Sequence, residues 1–226
     1  MLRQLLVIPF ALLVALPAPA QTPSPAASPS PAPTADATAG AHTWEIDSSH
    51  TTAGFSVRHM MVTNVHGAFG KVTGTIQYDG TDASSIAADI TIDAATIDTN
   101  NERRDTHLRS ADFFDVANHP TIRFSSKRVE KAADGQFKLI GDLTMRGITK
   151  EIALDVEGPS PAINAGRVFK IGASARATID RQDFGLTWNR AIEAGGVTVG
   201  DEVKIVLEIE ANRPNPNAPP PSTATR

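Results

Sequence analysis

The chain contains no cysteine. A disulfide framework, thiolate metal ligands and a cysteine nucleophile are excluded together, so stability has to come from a buried apolar core. Aromatic residues are sparse at 5%, with two tryptophans and one tyrosine. Basic residues do not dominate either: 21 Lys and Arg stand against 25 Asp and Glu, for a net charge of −4. That balance lacks the basic patch of a nucleic-acid binder, and no nucleic-acid partner is expected. Proline is nearly absent from the middle. Of 16, only Pro120, Pro159 and Pro161 fall between residues 42 and 213. Beyond the first twenty residues there is no long hydrophobic run, so no stable membrane insertion is expected.

The first twenty residues, "MLRQLLVIPFALLVALPAPA", have a positive start at Arg3, a short apolar stretch from Leu5 to Leu16 and a small-residue end at Ala18-Pro19-Ala20. That is the pattern of a cleaved secretory signal. Residues 21–41 and 214–226 are rich in Pro, Ala, Ser and Thr and bury too little apolar surface to order, so both read as disordered. Residues 42–213 then form one domain. Export without disulfides points to the periplasm, with extracellular release as the alternative.

Within the domain the hydrophobic period is two. Val72, Gly74 and Ile76 share a face, as do Ile86, Ala88, Ile90 and Ile92. The same alternation runs through Ile152, Leu154 and Val156, through Phe169, Ile171, Ala173 and Ala175, and through Val203, Ile205, Leu207 and Ile209. Strict alternation means antiparallel strands with one wet face. Asp79-Gly80, Asp134-Gly135, Arg146-Gly147 and Gly200-Asp201 supply turn signals. About eight such strands must hide their edges, which predicts an all-β barrel or sandwich. Small inward residues, Gly74, Ala88, Gly141, Ala173, Ala175 and Ala177, suit a hollow barrel, though large neighbours could also fill the space.

One stretch departs from the period: "NERRDTHLRSADFFD", residues 101–115. Thr99 with Glu102 matches a capping box, predicting a short helix near residues 100–115 that braces the barrel. Asp105, Arg109 and Asp112 would ladder charges along one side, with Leu108, Ala111 and Phe114 facing inward. Asp47, Ser48, Ser49 and His50 lie close in sequence, but adjacency is not a triad and no G-x-S-x-G elbow occurs. The histidines lack metal-ligand spacing. No catalytic residue, metal or cofactor is expected. In "RQDFGLTW", Arg181 and Asp183 could pair across a turn while Phe184 and Trp188 plug a barrel end. "EAGGVTVGDE" could form an entrance loop.

Several blocks together resemble one family. "WEIDSSHTTAGFSVRHMMVTNVHGAFG" is similar to the opening signature of the YceI-like proteins, "NERRDTHLRSADFFDVANHPTIRFSS" to their central block, and "GDLTMRGITKEI", "RQDFGL" and "GDEVKIVLEIEA" to the later ones. The resemblance implies a lipocalin-like antiparallel barrel that holds a long apolar chain, a polyisoprenoid or fatty-acyl lipid, without catalysis. On that reading Phe55, Val57 and His59 would contact ligand from the first long strand, and Ile76, Ile90 and Ile92 from the next two. Phe124, Leu143, Ile152, Phe169, Ile171, Ala175 and Leu207 would complete the wall. Arg103, His107 or Asn189 would orient a head group. Pairing with a second copy is left open. The rivals are a packed barrel serving an envelope complex and an enzyme built around His59.

Overall fold

A computed structural model of the chain describes residues 42–131, 136–193 and 195–219. The expected signal, the 21–41 linker, the Asp134-Gly135 turn and the end of the tail lie outside the described residues. In chain order come β1 (Thr43–Ile46), β2 (Thr52–His59), β3 (Thr63–Phe69), β4 (Val72–Gln77), β5 (Ala87–Asp93) and β6 (Ile97–Asp98). The helix α1 (Glu102–Arg109) follows, then β7 (Thr121–Lys131), β8 (Phe137–Met145), β9 (Ile148–Glu157), β10 (Ile163–Asn164), β11 (Val168–Asp180) and β12 (Val199–Pro214).

Neighbours run β11-β9-β8-β7-β5-β4-β1-β12, and β12 pairs back onto β11 from Val168↔Pro214 to Asp180↔Glu202. Eight antiparallel strands therefore close on themselves, and the choice between barrel and sandwich is decided for the barrel. The short strands have their own logic. β12 pairs β1 at Asn212 and Ala211 and β2 from Val199 to Glu208. β3 pairs β2, and β6 pairs β3. Thus β1/β2, β3/β4 and β5/β6 are each one barrel position with a break in it, and the chain is a meander throughout. Gly200 and Asp201 lie inside β12 rather than in a turn. Arg146 and Gly147 do form one, with φ of 51° and 74° in the mirror-image geometry that tight hairpins favour.

The registers sort the connections into two ends. The β2–β3 turn, α1, the β8–β9 turn and the segment after β11 gather at one. At the other, Trp44 is 1% exposed, its indole N–H donates to Tyr78 O at 3.1 Å, and the Arg213 guanidinium lies 4.7 Å from its ring centre. Trp44 is thus a plug; Phe184 is also fully buried, whereas Trp188 is only half-buried.

The charged stretch is a brace whose wiring differs from the expected ladder. Asn101, not Thr99, caps α1, accepting from Arg104 N at 3.0 Å. Thr99 is buried and donates from both N and Oγ1 to Asp105, which is itself buried. Arg104 bonds back to Thr99, and Arg109 donates to Ala95 O and Ile97 O at 2.9 and 2.8 Å. The helix holds β6 by its backbone. Ala111 is exposed instead of facing inward. Arg181 ignores Asp183 and pairs with Asp201 at 2.9 Å, because its side chain crosses to the start of β12 instead of following its own turn.

A second knot closes β1 against β12. Asp47 accepts from Asn212 Nδ2 at 3.0 Å, lies 3.0 Å from His50 Nδ1, and accepts from Ser49 N; Lys170 Nζ reaches it at 3.4 Å. The carboxylates of Asp47 and Glu210 and the His50 ring converge, but Lys170 Nζ bonds both carboxylates, so a cation already stands there. These bonds, Asn212 foremost and His50 next, hold the Asp47 carboxyl well below the usual carboxylate range. A carboxyl depressed in the fold stabilises above its unfolded value, near 3.8, and that stabilisation is lost as pH falls toward the folded value. Thermal midpoints measured from about pH 5 down to about pH 2 should fall less steeply for Asp47→Asn than for wild type. Parallel slopes would remove Asp47 from the acid response.

Candidate functional site

The inward faces are apolar, yet many of their side chains are only half-buried. Phe55, Val57, Ile76, Ile90, Ile92, Ile152, Val203, Ile205, Leu207 and Ile209 all point inward and are all intermediate in exposure. Interior residues of a packed core would touch neighbours on every side. Here they border a cavity of about 220 Å³ that the strands enclose along the barrel. From Val203 to Ala211 every second residue of β12 is on its wall, a run of about 27 Å at the rise of a strand.

Small residues contribute to the space in two ways. Ala88, Ala173 and Ala175 line it directly. Gly141 instead makes room for a ring: a Cβ there would stand 2.6 Å from Phe124 Cζ. Gly74, at φ 140°, lies so close to β5 that a Cβ would fall 2.1 Å from Asp89 O. Neither glycine lines the cavity, and Ala177 does not either.

The wall has three polar residues, Thr51, Thr52 and Arg181. Thr51 Oγ1 donates to Glu210 O and accepts from Glu210 N. Arg181, 3% exposed, directs its whole guanidinium away from the bore, onto the carbonyls of Leu186, Trp188, Val199 and Gly200 and onto Asp201. Among the described residues no His, Asp, Glu, Ser, Lys or Tyr is on the wall.

A second cavity, about 490 Å³, lies at the α1 end and shares Phe55, Val57, Leu108, Phe113 and Val199 with the first. The helix and the loop before β12 border the same opening, so the helix end and the glycine-loop end of the barrel are one mouth. Its lining is polar, and the charged side chains on it among the described residues are Arg58, Arg103, Arg104 and Arg190, with His59 and His107 beside them. His107 Nε2 sits 2.9 Å from Asp112, and its ring stands edge-on to Trp188 at 4.8 Å.

The sequence profile of the YceI-like domain matches residues 44–211. The chain belongs to the YceI-like family. A UPF0312 protein of Staphylococcus aureus strain MSSA476 is 36% identical over 165 residues, 73% of this chain and 94% of that protein. A Campylobacter jejuni YceI protein of known structure is 32% identical, covers 70% of this chain and 90% of its own, and superposes with a TM-score of 0.59. A polyisoprenoid-binding domain from Saccharophagus degradans superposes at 0.57 over 76% of this chain and 98% of its own, at 15% identity, which speaks for the fold alone.

Against this YceI-like barrel the expected contact residues divide cleanly. Phe55, Val57, Ile76, Ile90, Ile92, Phe124, Leu143, Ile152, Ile171, Ala175 and Leu207 are on the wall of the inner cavity. His59 is not; it is half-buried at the mouth beside Arg103 and His107. Phe169 is outside both cavities, because its ring packs 5.5 Å from the Arg213 guanidinium near the Trp44 plug. Asn189 is outside both as well, since its amide brackets Val199, donating to Val199 O at 2.7 Å and accepting from Val199 N at 3.1 Å. The alternation of β8 and β11 would have revealed Leu139, Met145 and Ile179. Nothing local in the sequence marks Arg58 and Arg190 as neighbours across a mouth.

Proposed function

We propose that this YceI-like barrel binds a long apolar chain, a polyisoprenoid or a fatty-acyl lipid, and carries or stores it in the periplasm. The supporting observation is the row of inward apolar side chains left half-exposed to an enclosed, nearly uncharged cavity. Each methylene moved there from water is worth about 0.8 kcal/mol, so a chain of modest length binds without a single hydrogen bond. A narrow bore opening into a wider arginine-rimmed mouth suits an amphiphile lying tail-first. The neighbour from Saccharophagus degradans is described as polyisoprenoid-binding, which agrees with an isoprenoid tail. Binding rather than catalysis also suits a wall on which the hydroxyls, Thr51 and Thr52, have no carboxylate or imidazole beside them among the described lining residues. The periplasmic assignment is supported by the signal-like first twenty residues and the cysteine-free composition.

Native mass spectrometry of protein recovered from the periplasmic fraction without detergent tests all of this. The expected spectrum shows a chain beginning at Gln21 with one apolar adduct that organic extraction removes. A bare chain that also fails to take up added polyprenyl or acyl lipids would sink the carrier reading and favour a protein-binding barrel. A mass that includes residues 1–20 would sink the cleaved signal.

A further inference from the structure

The turn between β2 and β3 goes against local preference. Val62 N donates to His59 O at 3.0 Å, enclosing Met60 and Met61, whose φ values are 48° and 59°. A two-residue hairpin turn with both residues left-handed favours Asn-Gly, and a methionine there carries a steric cost that glycine avoids. The same residues violate the solubility rule. Met60, Met61 and Val62 are 44%, 52% and 77% exposed, three consecutive members of the six exposed large apolar side chains among the described residues. Strain and exposure at one spot point to a use for the side chains.

Position supplies the use. Met60 N donates to Thr198 O at 2.8 Å, and Met61 lies against Gly196, its Cγ 3.2 Å from where a Cβ would stand. The turn and the loop before β12 thus form one apolar lip beside the mouth. Lining that mouth are Arg58, Arg103, Arg104 and Arg190, in a chain of net charge −4, and the carboxylate of Asp112 close by is paired with His107 at 2.9 Å. Arg104 is committed to Thr99. Arg103 is exposed with no side-chain partner among the described residues, and Arg190 is exposed and lies over Trp188 at 5.7 Å. Glu193 is the acidic residue of the loop itself.

We infer that the lip is a docking surface for an anionic lipid bilayer. Met60, Met61 and Val62 enter the head-group layer while Arg58, Arg103 and Arg190 meet lipid phosphates, which presses the mouth against the membrane. Apolar side chains flanked by arginine are what an interfacial anchor combines, and unbranched methionine adapts to an irregular acyl boundary. The contact is peripheral: no described helix is long and apolar enough to cross a membrane. Docked this way, an apolar chain passes between bilayer and barrel without its methylenes meeting water. The docking itself does not depend on what the inner cavity holds.

Co-sedimentation with vesicles of phosphatidylethanolamine and phosphatidylglycerol, against phosphatidylcholine alone, tests the surface. The double variant M60N/M61G suits the turn better, so its melting temperature should equal or exceed wild type, and its vesicle partition should fall about tenfold. R103Q/R190Q should lose about tenfold at low salt on the anionic vesicles, with the difference vanishing near ~0.5 M salt. Wild type and variants share the same N-terminal region, so any contribution it makes cancels. Equal partition of wild type and M60N/M61G, or no preference for anionic vesicles, overturns the inference. A concentration-dependent dimer that M60N/M61G dissolves, without vesicle binding, reassigns the lip to a second copy. Lipid content by native mass spectrometry stays unchanged in M60N/M61G if only docking is lost. An empty wild-type barrel that still sediments would sink the carrier reading and leave the docking surface standing.

Discussion

Ala175→Phe should yield a folded barrel that no longer holds its ligand, or holds a shorter one. Ala175 is 3% exposed in β11, opposite Leu207 on β12 and Val156 on β9, all three on the cavity wall. A phenyl ring added there enters the bore at mid-barrel. Forcing a large side chain into a filled core costs about 1–3 kcal/mol, and the lower end is expected here because Ala175 stands on the wall of a cavity that can take part of the ring. At a few degrees of melting temperature per kcal/mol the loss of stability should stay small. Native mass spectra of wild type and variant purified side by side provide the comparison. An adduct of the same mass and stoichiometry in both would mean that the chain never reaches Ala175.

Arg181→Met should have the opposite signature, a large loss of stability with the cavity wall intact. The guanidinium joins the segment after β11 to the start of β12 by bonds to four carbonyls and to Asp201. Methionine keeps much of the apolar stem but leaves those carbonyls without a donor. Each buried carbonyl left without its donor costs about 1–3 kcal/mol, and losing several at once in a domain of this size is on the order of 10 °C. Thermal unfolding measures it, and faster amide exchange at Val199 would localise it, since Val199 N donates to Asn189 inside the same knot. A shift under about 2 °C would mean that water replaces the guanidinium at no cost.

The strands were legible because a sheet with one wet face writes itself as alternation, while the closed barrel rather than a sandwich came from the resemblance to the YceI-like family. Val203 to Ile209 could be assigned inward from their spacing alone, and so could Ile86 to Ile92. Breaks within a barrel position were not legible. Nothing in the local pattern tells that β1 and β2 are two halves of one position, because the Asp47 knot between them is tied to Lys170 and Asn212 far along the chain. Arg181 was misread for the same reason: local spacing offers the sequence neighbour Asp183 as its partner, and the real one lies across a loop. Thr99 looked like a cap because a capping box is a local rule, whereas its burial against Asp105 is a tertiary fact. The mouth was the least legible, being assembled from β2, α1 and the loop before β12.

The order of the strands has a bearing on how the protein comes into being. β12 is the last strand in sequence, and it alone pairs with β1, β2 and β11. The seam joins Glu45 to Asn212, so the ring cannot close until nearly the whole domain is available. Until then β1, β2 and β11 each present an unpaired edge, the arrangement most open to pairing with another chain. Contacts so distant in sequence are slow to form. A polypeptide that emerges start-first from the ribosome is therefore an open sheet at most until its end is free. The apolar cavity exists only once the final strand has arrived.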